Sequence, residues 1–251
     1  MEIGTIDRKE ATKRYERSEY FGRECIAFAR SITSTDKSGI IAEFKRQSPS
    51  KGVINGSVKP ESVTVAYESA GASALSILTN TKYFGGTVED ILVSRPLVAI
   101  PILRKEFIVD ELQILEAKAI GADAILLIAE ALSKQEVKQL ASFARSHGLE
   151  VIMEVNSIAQ TDKICLELNA VGVNNRNLHD FSVDIARSME IYPYIPNEFV
   201  KVSESGLSTP EAVIRLRQFG FAGFLMGETF MKETDPGKAC RQFAQAAGLI
   251  K

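Results

Sequence analysis

Short apolar runs recur along this chain, and most of them break off into charge. They lie at 40–44, 74–79, 101–107, 124–129, 150–155, 170–175, 200–205 and 223–227, with starts about 20 to 34 residues apart. Near-continuous apolar runs of this length suit strands covered on both faces, as in a parallel sheet. The stretches between them carry helical periodicity and helix boundaries. Pro60 opens one, with Val63, Ala66, Tyr67 and Ala70 as its buried stripe before Gly71. Asp110 with Gln113, and Ser133 with Glu136, have capping-box spacing; Gly121 and Gly148 follow as stops. Ser208, Pro210 and Glu211 open a later helix that Gly220 closes. Eight strand-like runs with a helix in every gap predict an α/β fold, a closed (β/α)8 TIM barrel. An open doubly wound sheet is the alternative, weakened because no Gly-rich dinucleotide fingerprint follows the first strand.

Residues 8–33 precede the first strand and read as helical, with Cys25, Phe28, Ala29 and Ile32 on one face. Residues 1–251 are therefore expected to form one domain: an N-terminal helical extension over 1–37 and the barrel over 38–251, with the extension packed near one end.

In such a barrel the C-terminal strand ends converge on one mouth, where the active site forms. The first run delivers Glu43 and Lys45 there, then a loop holding Arg46, Ser48, Pro49, Lys51 and Gly52 that is too long to be a plain connection. The second leads to Thr79 and Phe84, the third to Lys105 and Phe107, and the fourth to Glu130. The fifth gives Glu154 and Asn156, the sixth Asn174 and Arg176, the seventh Glu204, Ser205 and Gly206, the eighth Gly227 and Glu228. Charge inside strand patterns is costly unless paired or functional. Taken singly, Lys105 reads as a polar strand end or an acid, and Glu154 as a buried partner of some lysine or a base. Together they make an acid–base pair over a barrel. Ser205-Gly206 and Gly227 read as an anion site after the last two strands, or as ordinary turns. With an anion site there, Gly206→Val is expected to weaken substrate binding and leave folding intact. Phe84 and Phe107 are core residues or a platform for an aromatic ring.

Composition narrows the classes. The chain has 251 residues, 45% of them hydrophobic, and a formal net charge of −2 with its basic residues dispersed, which gives no electrostatic case for nucleic acid or anionic membrane. Met1 to Glu10 lacks the apolar stretch of a signal peptide, and no run is long enough to span a bilayer. Cys25, Cys165 and Cys240 lack metal-ligand spacing and are odd in number, as expected of reduced thiols in a cytoplasmic protein. Two histidines, His147 and His179, exclude a site built from three; both read as structural or surface residues.

The motifs resemble one family. The stretch Ile41-Ala42-Glu43-Phe44-Lys45-Arg46-Gln47-Ser48-Pro49-Ser50-Lys51-Gly52 is similar to the first-strand signature of the indole-3-glycerol-phosphate synthases of tryptophan biosynthesis. The likeness continues through Tyr83-Phe84-Gly85-Gly86, Pro101 to Val109, Gly121 to Ile128, Gly172-Val173-Asn174-Asn175-Arg176-Asn177-Leu178 and Val202-Ser203-Glu204-Ser205-Gly206-Leu207, spanning roughly 38–232. It departs at Asn156, where the family pattern leads one to expect histidine, and in the N-terminal region.

The resemblance implies a carboxy-lyase that takes 1-(2-carboxyphenylamino)-1-deoxyribulose 5-phosphate to indole-3-glycerol phosphate, with no cofactor and no metal. It implies Lys105 as acid, Glu154 as base, Lys45 as a second acid or carboxylate contact, and Glu43 holding the lysines charged. Glu43 is then also expected to be what keeps Lys105 protonated. Asn174, Arg176, Glu204 and Ser205 would bind hydroxyls, carboxylate or phosphate. The phosphate would sit at Ser205-Gly206 and Gly227-Glu228 with help from Ser48. Its partners would be this small phosphorylated substrate and, among proteins, other tryptophan-pathway enzymes. Two other readings are a phosphoribosylanthranilate isomerase, which works with a cysteine and an aspartate, and a non-catalytic binding barrel. No cysteine ends a strand, Cys165 reading as helical, and the trio Lys45, Lys105 and Glu154 speaks against a barrel without chemistry.

Overall fold

The computed structural model describes residues 7–177 and 180–251, so the readings placed on Met1–Ile6, Leu178 and His179 lie outside the described residues. Eight parallel strands close on themselves: β1 Ile40–Phe44, β2 Ala74–Leu78, β3 Ile102–Lys105, β4 Ala124–Ile128, β5 Glu150–Val155, β6 Ala170–Asn174, β7 Val200–Glu204 and β8 Gly223–Met226. β1 pairs with both β2 and β8, which shuts the barrel.

Strand residues alternate between the barrel interior and the surrounding helices. Ile41, Ala74, Leu103, Ala124, Leu126, Ile152, Ala170, Val202 and Leu225 form one buried interior cluster. Two residues further along the same faces come Glu43, Lys105, Glu154 and Glu204, and four beyond Ala170 comes Asn174. Period two therefore stacks a polar layer directly on an apolar one. The opposite faces, among them Ile40, Ala42, Phe44, Ile102, Val151 and Val173, pack against the outer helices in a second, larger cluster.

The helices whose boundaries the sequence marks begin and end close to those residues. The helix Pro60–Ser69 starts at its proline, and Asp110 and Ser133 make capping boxes with Gln113 and Glu136. The helix Pro210–Phe219 is capped by Thr209 rather than by Ser208. The expectation of a helix in every gap fails between β5 and β6. The shortest interval in the chain holds only the 3-10 turn Ile158–Lys163, and Cys165 lies beyond it, outside any helix.

The N-terminal region is not one helical stretch. Helix Arg8–Glu16 and helix Phe28–Thr33 are separated by turns and extended backbone, and Cys25 sits in that interval. The two do different work. Phe28 and Ile32 join the interior cluster and close the barrel at its N-terminal end. Helix Arg8–Glu16 instead packs Ala11 on Leu112 and Leu115 of the helix Glu111–Ala119, and Arg8 grips Asp110 at 2.8 Å. Among the described residues no helix is long and apolar enough to cross a membrane.

Candidate active site

The residues expected to act on or bind the substrate, from Glu43, Lys45 and Ser48 to Gly227 and Glu228, line one cavity of about 280 Å³ at the C-terminal mouth; Thr79, Glu130 and Asn156 do not. Leu126 and Ile128 of β4 and Leu225 of β8 give it an apolar floor. Lys105 stands at the centre, its Nζ 3.1 Å from Glu154 Oε2 and 3.2 Å from Glu204 Oε2. Asn174 Nδ2 donates to the other Glu154 oxygen at 2.9 Å, so that carboxylate is held from both sides. Lys45 pairs with Glu43 at 2.7 Å, and Ser76 Oγ reaches the second Glu43 oxygen at 3.5 Å.

Three carboxylates face two ammonium groups in this layer, and the excess charge has consequences. Burial disfavours the charged form of Lys105, but Glu204, Glu154 and Glu43 outweigh it and place its pKa above that of an ordinary lysine. Burial likewise opposes ionisation of Glu43, yet Lys45 and Lys105 hold that carboxyl below its usual range. Glu204 carries the imbalance: burial pushes it up to about 7, with the charge of Glu154 adding and that of Lys105 opposing. Its Oε1 is buried without a hydrogen-bond partner. That oxygen lies where a Cβ on Gly172 would sit, at 2.1 Å, so β6 needs glycine there. Glu154 and Glu204 touch Lys105 directly and do most to keep it charged; Glu43, expected from the sequence to do so, adds its charge while its own hydrogen bonds go to Lys45 and Ser76.

The loop after β1 is shaped, as its proline and glycine suggest. A two-residue antiparallel pairing sets Gln47 opposite Val53 and Ser48 opposite Gly52, which hangs Ser48, Pro49 and Ser50 over the cavity. Neighbouring Lys45 and Arg46 separate: Lys45 enters the site, whereas Arg46 turns away to Asp90 through two bonds of 2.6 and 2.8 Å. On one wall Phe84 and Phe107 lie with ring centroids 6.3 Å apart, and Tyr83 meets Phe107 edge-on.

At the other side β7 runs into Ser205 and Gly206, both with positive φ (66° and 74°). A Cβ on Gly206 would lie 2.2 Å from Val183 Cγ1, so Gly206→Val strains the loop itself and cannot leave folding untouched, contrary to the sequence expectation. At Gly227, where φ is negative, a Cβ would press on Glu43 Oε1 at 2.6 Å, so the constraint there is space rather than backbone conformation. Glu228 stands 3.7 Å from Arg176 and 3.9 Å from Lys51, at the rim.

Glu130 does not reach the site: it is exposed and accepts from Gln160. Glu106 and Phe181 are among the cavity residues that the strand-end reading passed over. Glu106 directly follows Lys105 and accepts from Thr79 and Asn80. Phe181 lies in the loop after β6 with φ of 59°. The adjacency of Glu106 to Lys105 was a usable signal; Phe181 had none.

Asn156 lies outside the cavity lining, and its side-chain N–H group bonds to backbone carbonyls of Asn174 and Arg176. A histidine N–H in that place offers the same kind of donor.

A closed parallel barrel with a buried lysine–carboxylate layer at its mouth, beside glycine-bearing loops after β7 and β8, defines a (β/α)8-barrel enzyme. The family model described as Indole-3-glycerol phosphate synthase matches residues 4–243. The indole-3-glycerol phosphate synthase of Bacteroides thetaiotaomicron is 51% identical over 217 residues, covering 86% of this chain and 83% of that one. That of Laribacter hongkongensis is 41% identical over 222 residues, covering 86% and 84%. A tryptophan synthase subunit alpha from Legionella pneumophila superposes with a TM-score of 0.64 at 13% identity, over 89% of this chain and 97% of that one. Thiamine phosphate pyrophosphorylase from Pyrococcus furiosus gives 0.61 at 15%, over 83% and 94%. The last two likenesses concern the fold alone. The chain belongs to the indole-3-glycerol phosphate synthase family, decarboxylating lyases of tryptophan biosynthesis.

Proposed function

We propose that this chain closes the indole ring of indole-3-glycerol phosphate from 1-(2-carboxyphenylamino)-1-deoxyribulose 5-phosphate, with Lys105 as principal acid and Glu154 as base. The observation that carries the assignment is Lys105 Nζ held between Glu154 and Glu204 at 3.1 and 3.2 Å over an apolar floor. The aryl carbon bearing the carboxylate attacks the C2′ carbonyl, and the carbonyl oxygen takes a proton from Lys105. The aniline nitrogen becomes an iminium. Breaking the bond to the carboxylate releases CO2 and returns its electron pair to that iminium, so the substrate is its own electron sink and no external one is needed. The hydroxyl then leaves as water with a donated proton, and Glu154 takes the ring proton whose loss restores aromaticity.

The raised pKa of Lys105 keeps it protonated throughout the neutral range, and Lys105 and Asn174 orient the Glu154 carboxyl group from both sides. Lys45, paired with Glu43 at 2.7 Å, serves as second acid or as a contact for the carboxylate that leaves. Phe84 and Phe107 would flank the aryl ring. Arg176 and the backbone of Ser205, Gly206, Gly227 and Glu228, with Ser48, would take the phosphate, and Asn174 and Glu204 the sugar hydroxyls.

The same reading treats 1–251 as one domain, expected to unfold in a single transition. It also sets the enzyme in the cytoplasm, where its three free thiols stay reduced, with other tryptophan-pathway enzymes as protein partners to be sought by co-purification. The direct test is to supply the carboxyphenylamino substrate and follow indole fluorescence and CO2 together. Equimolar appearance of both is the expected result; binding without either product would overturn the assignment.

A further inference from the structure

The two ends of the substrate cavity, one for proton transfer and one for the anion, meet through a residue outside it. Asn156 follows β5 directly, and its backbone N–H is fixed by Gln160 Oε1 at 2.6 Å. Its side chain reaches across to the end of β6. There Nδ2 donates to the carbonyl of Arg176 at 2.7 Å and to that of Asn174 at 3.3 Å. Both acceptors are backbone oxygens, so the position requires a hydrogen-bond donor.

The turn it grips has two dependants. On the chemical side, Asn174 gives Nδ2 to Glu154 at 2.9 Å while its Oδ1 accepts from the Arg176 backbone at 2.9 Å, so the turn decides how Asn174 meets the base. On the anion side, Arg176 bridges to Val183 in antiparallel fashion, and Val183 packs tightly over Gly206.

We propose that Asn156 is a positioning residue for the reaction, holding the Asn174–Arg176 turn so that Glu154 and the Ser205-Gly206 loop keep one mutual register. The inference rests on the function proposed above. Asn156→Ala removes the amide with its donor, Asn156→Asp keeps the shape but puts an acceptor against two acceptors, and Asn156→His restores an N–H. Steady-state rates with the carboxyphenylamino substrate, and inorganic phosphate binding by calorimetry, are read on each.

For Asn156→Ala the expectation is a kcat lower by about tenfold and phosphate affinity weaker by about threefold, the scale of one misaligned contact. The acid limb of the kcat profile should move to higher pH, because a carboxylate that loses an aimed donor holds its proton more tightly. Asn156→Asp should be worse than Asn156→Ala, and Asn156→His should recover most of both losses. A role in folding alone would lower the folded fraction and leave kcat per folded enzyme, the acid limb and phosphate affinity where they were. That result, or a histidine variant no better than alanine, overturns the proposal. A parent enzyme without turnover would instead remove the functional reading, while the phosphate series would still decide whether Asn156 holds the anion loop.

Discussion

The two ends of the barrel both bury charge, and they treat it differently. At the N-terminal end Asp123 is fully buried and each of its oxygens takes two donors. Arg23 at 2.6 Å and the Ile26 N–H at 2.8 Å meet Oδ1; Arg95 at 2.7 Å and the Ile102 N–H at 2.8 Å meet Oδ2. Those four donors come from the extension, the loop before β3 and β3 itself. At the C-terminal mouth Glu204 is as deeply buried, yet one oxygen has a single donor, Lys105, and the other none. A closed network fixes the pieces that supply it, whereas an incomplete one stores a group that can still change its proton or its partner. The first end fastens the extension to the barrel; the second is the end assigned to chemistry.

The contrast breaks most visibly at Asp123. Asp123→Asn leaves Arg95, itself buried, without its counter-charge, and should cost about 3–5 kcal/mol of unfolding free energy in urea titrations. Activity per folded molecule should stay near the parent's, since no cavity residue is touched. A loss under about 1 kcal/mol would show that the N-terminal network does not fasten the fold.

Glu204 sharpens the comparison through pH. Its folded pKa, about 7, lies above the ordinary value of 4.5, so the folded protein binds this proton more tightly than the unfolded chain does. Its contribution to stability is therefore complete below about 4.5 and is lost as pH rises through about 7. Lys105, whose pKa is raised, stays protonated across that window and adds no slope there. Subtracting the stability–pH curve of Glu204→Gln from that of the parent should leave a decline between those two values. A flat difference would mean that Glu204 titrates as an ordinary carboxylate.

The smallest effect belongs to the rim. Glu228 meets Arg176 and Lys51 at 3.7 and 3.9 Å and is partly solvated, so its ion pairs are weak. Glu228→Gln should change KM by less than about fivefold and leave kcat in place, the range of an exposed pair. A large fall in kcat would move Glu228 from the rim into the chemistry.

Much of the mouth is legible in the sequence because its polar residues continue the interior faces of strands. Ile41 to Glu43, Leu103 to Lys105, Ile152 to Glu154 and Val202 to Glu204 each step by two from an apolar interior residue to a charged one. Local pattern breaks down where partners are remote. Arg23 and Arg95 meet Asp123 across 100 and 28 residues, and nothing near Gly121-Ala122-Asp123 announces either. Neighbouring charges also mislead: Lys45 and Arg46 look alike in the chain, and only the alternation of faces sends one to Glu43 and the other to Asp90. Glu130 stands two residues past the end of β4, beyond the reach of that alternation, and faces solvent.

The measurement that tests the assignment of chemistry to the mouth most directly is the turnover of Lys105→Met beside that of the parent, each corrected for the folded fraction. Removing a positioned acid lowers rate by about 10²–10⁴, and a methionine of similar length preserves the apolar stem. The account predicts a kcat reduced by that factor and a KM changed much less. Turnover within about threefold of the parent would contradict it, because no principal acid is that dispensable; Lys45 would then be the candidate for the role.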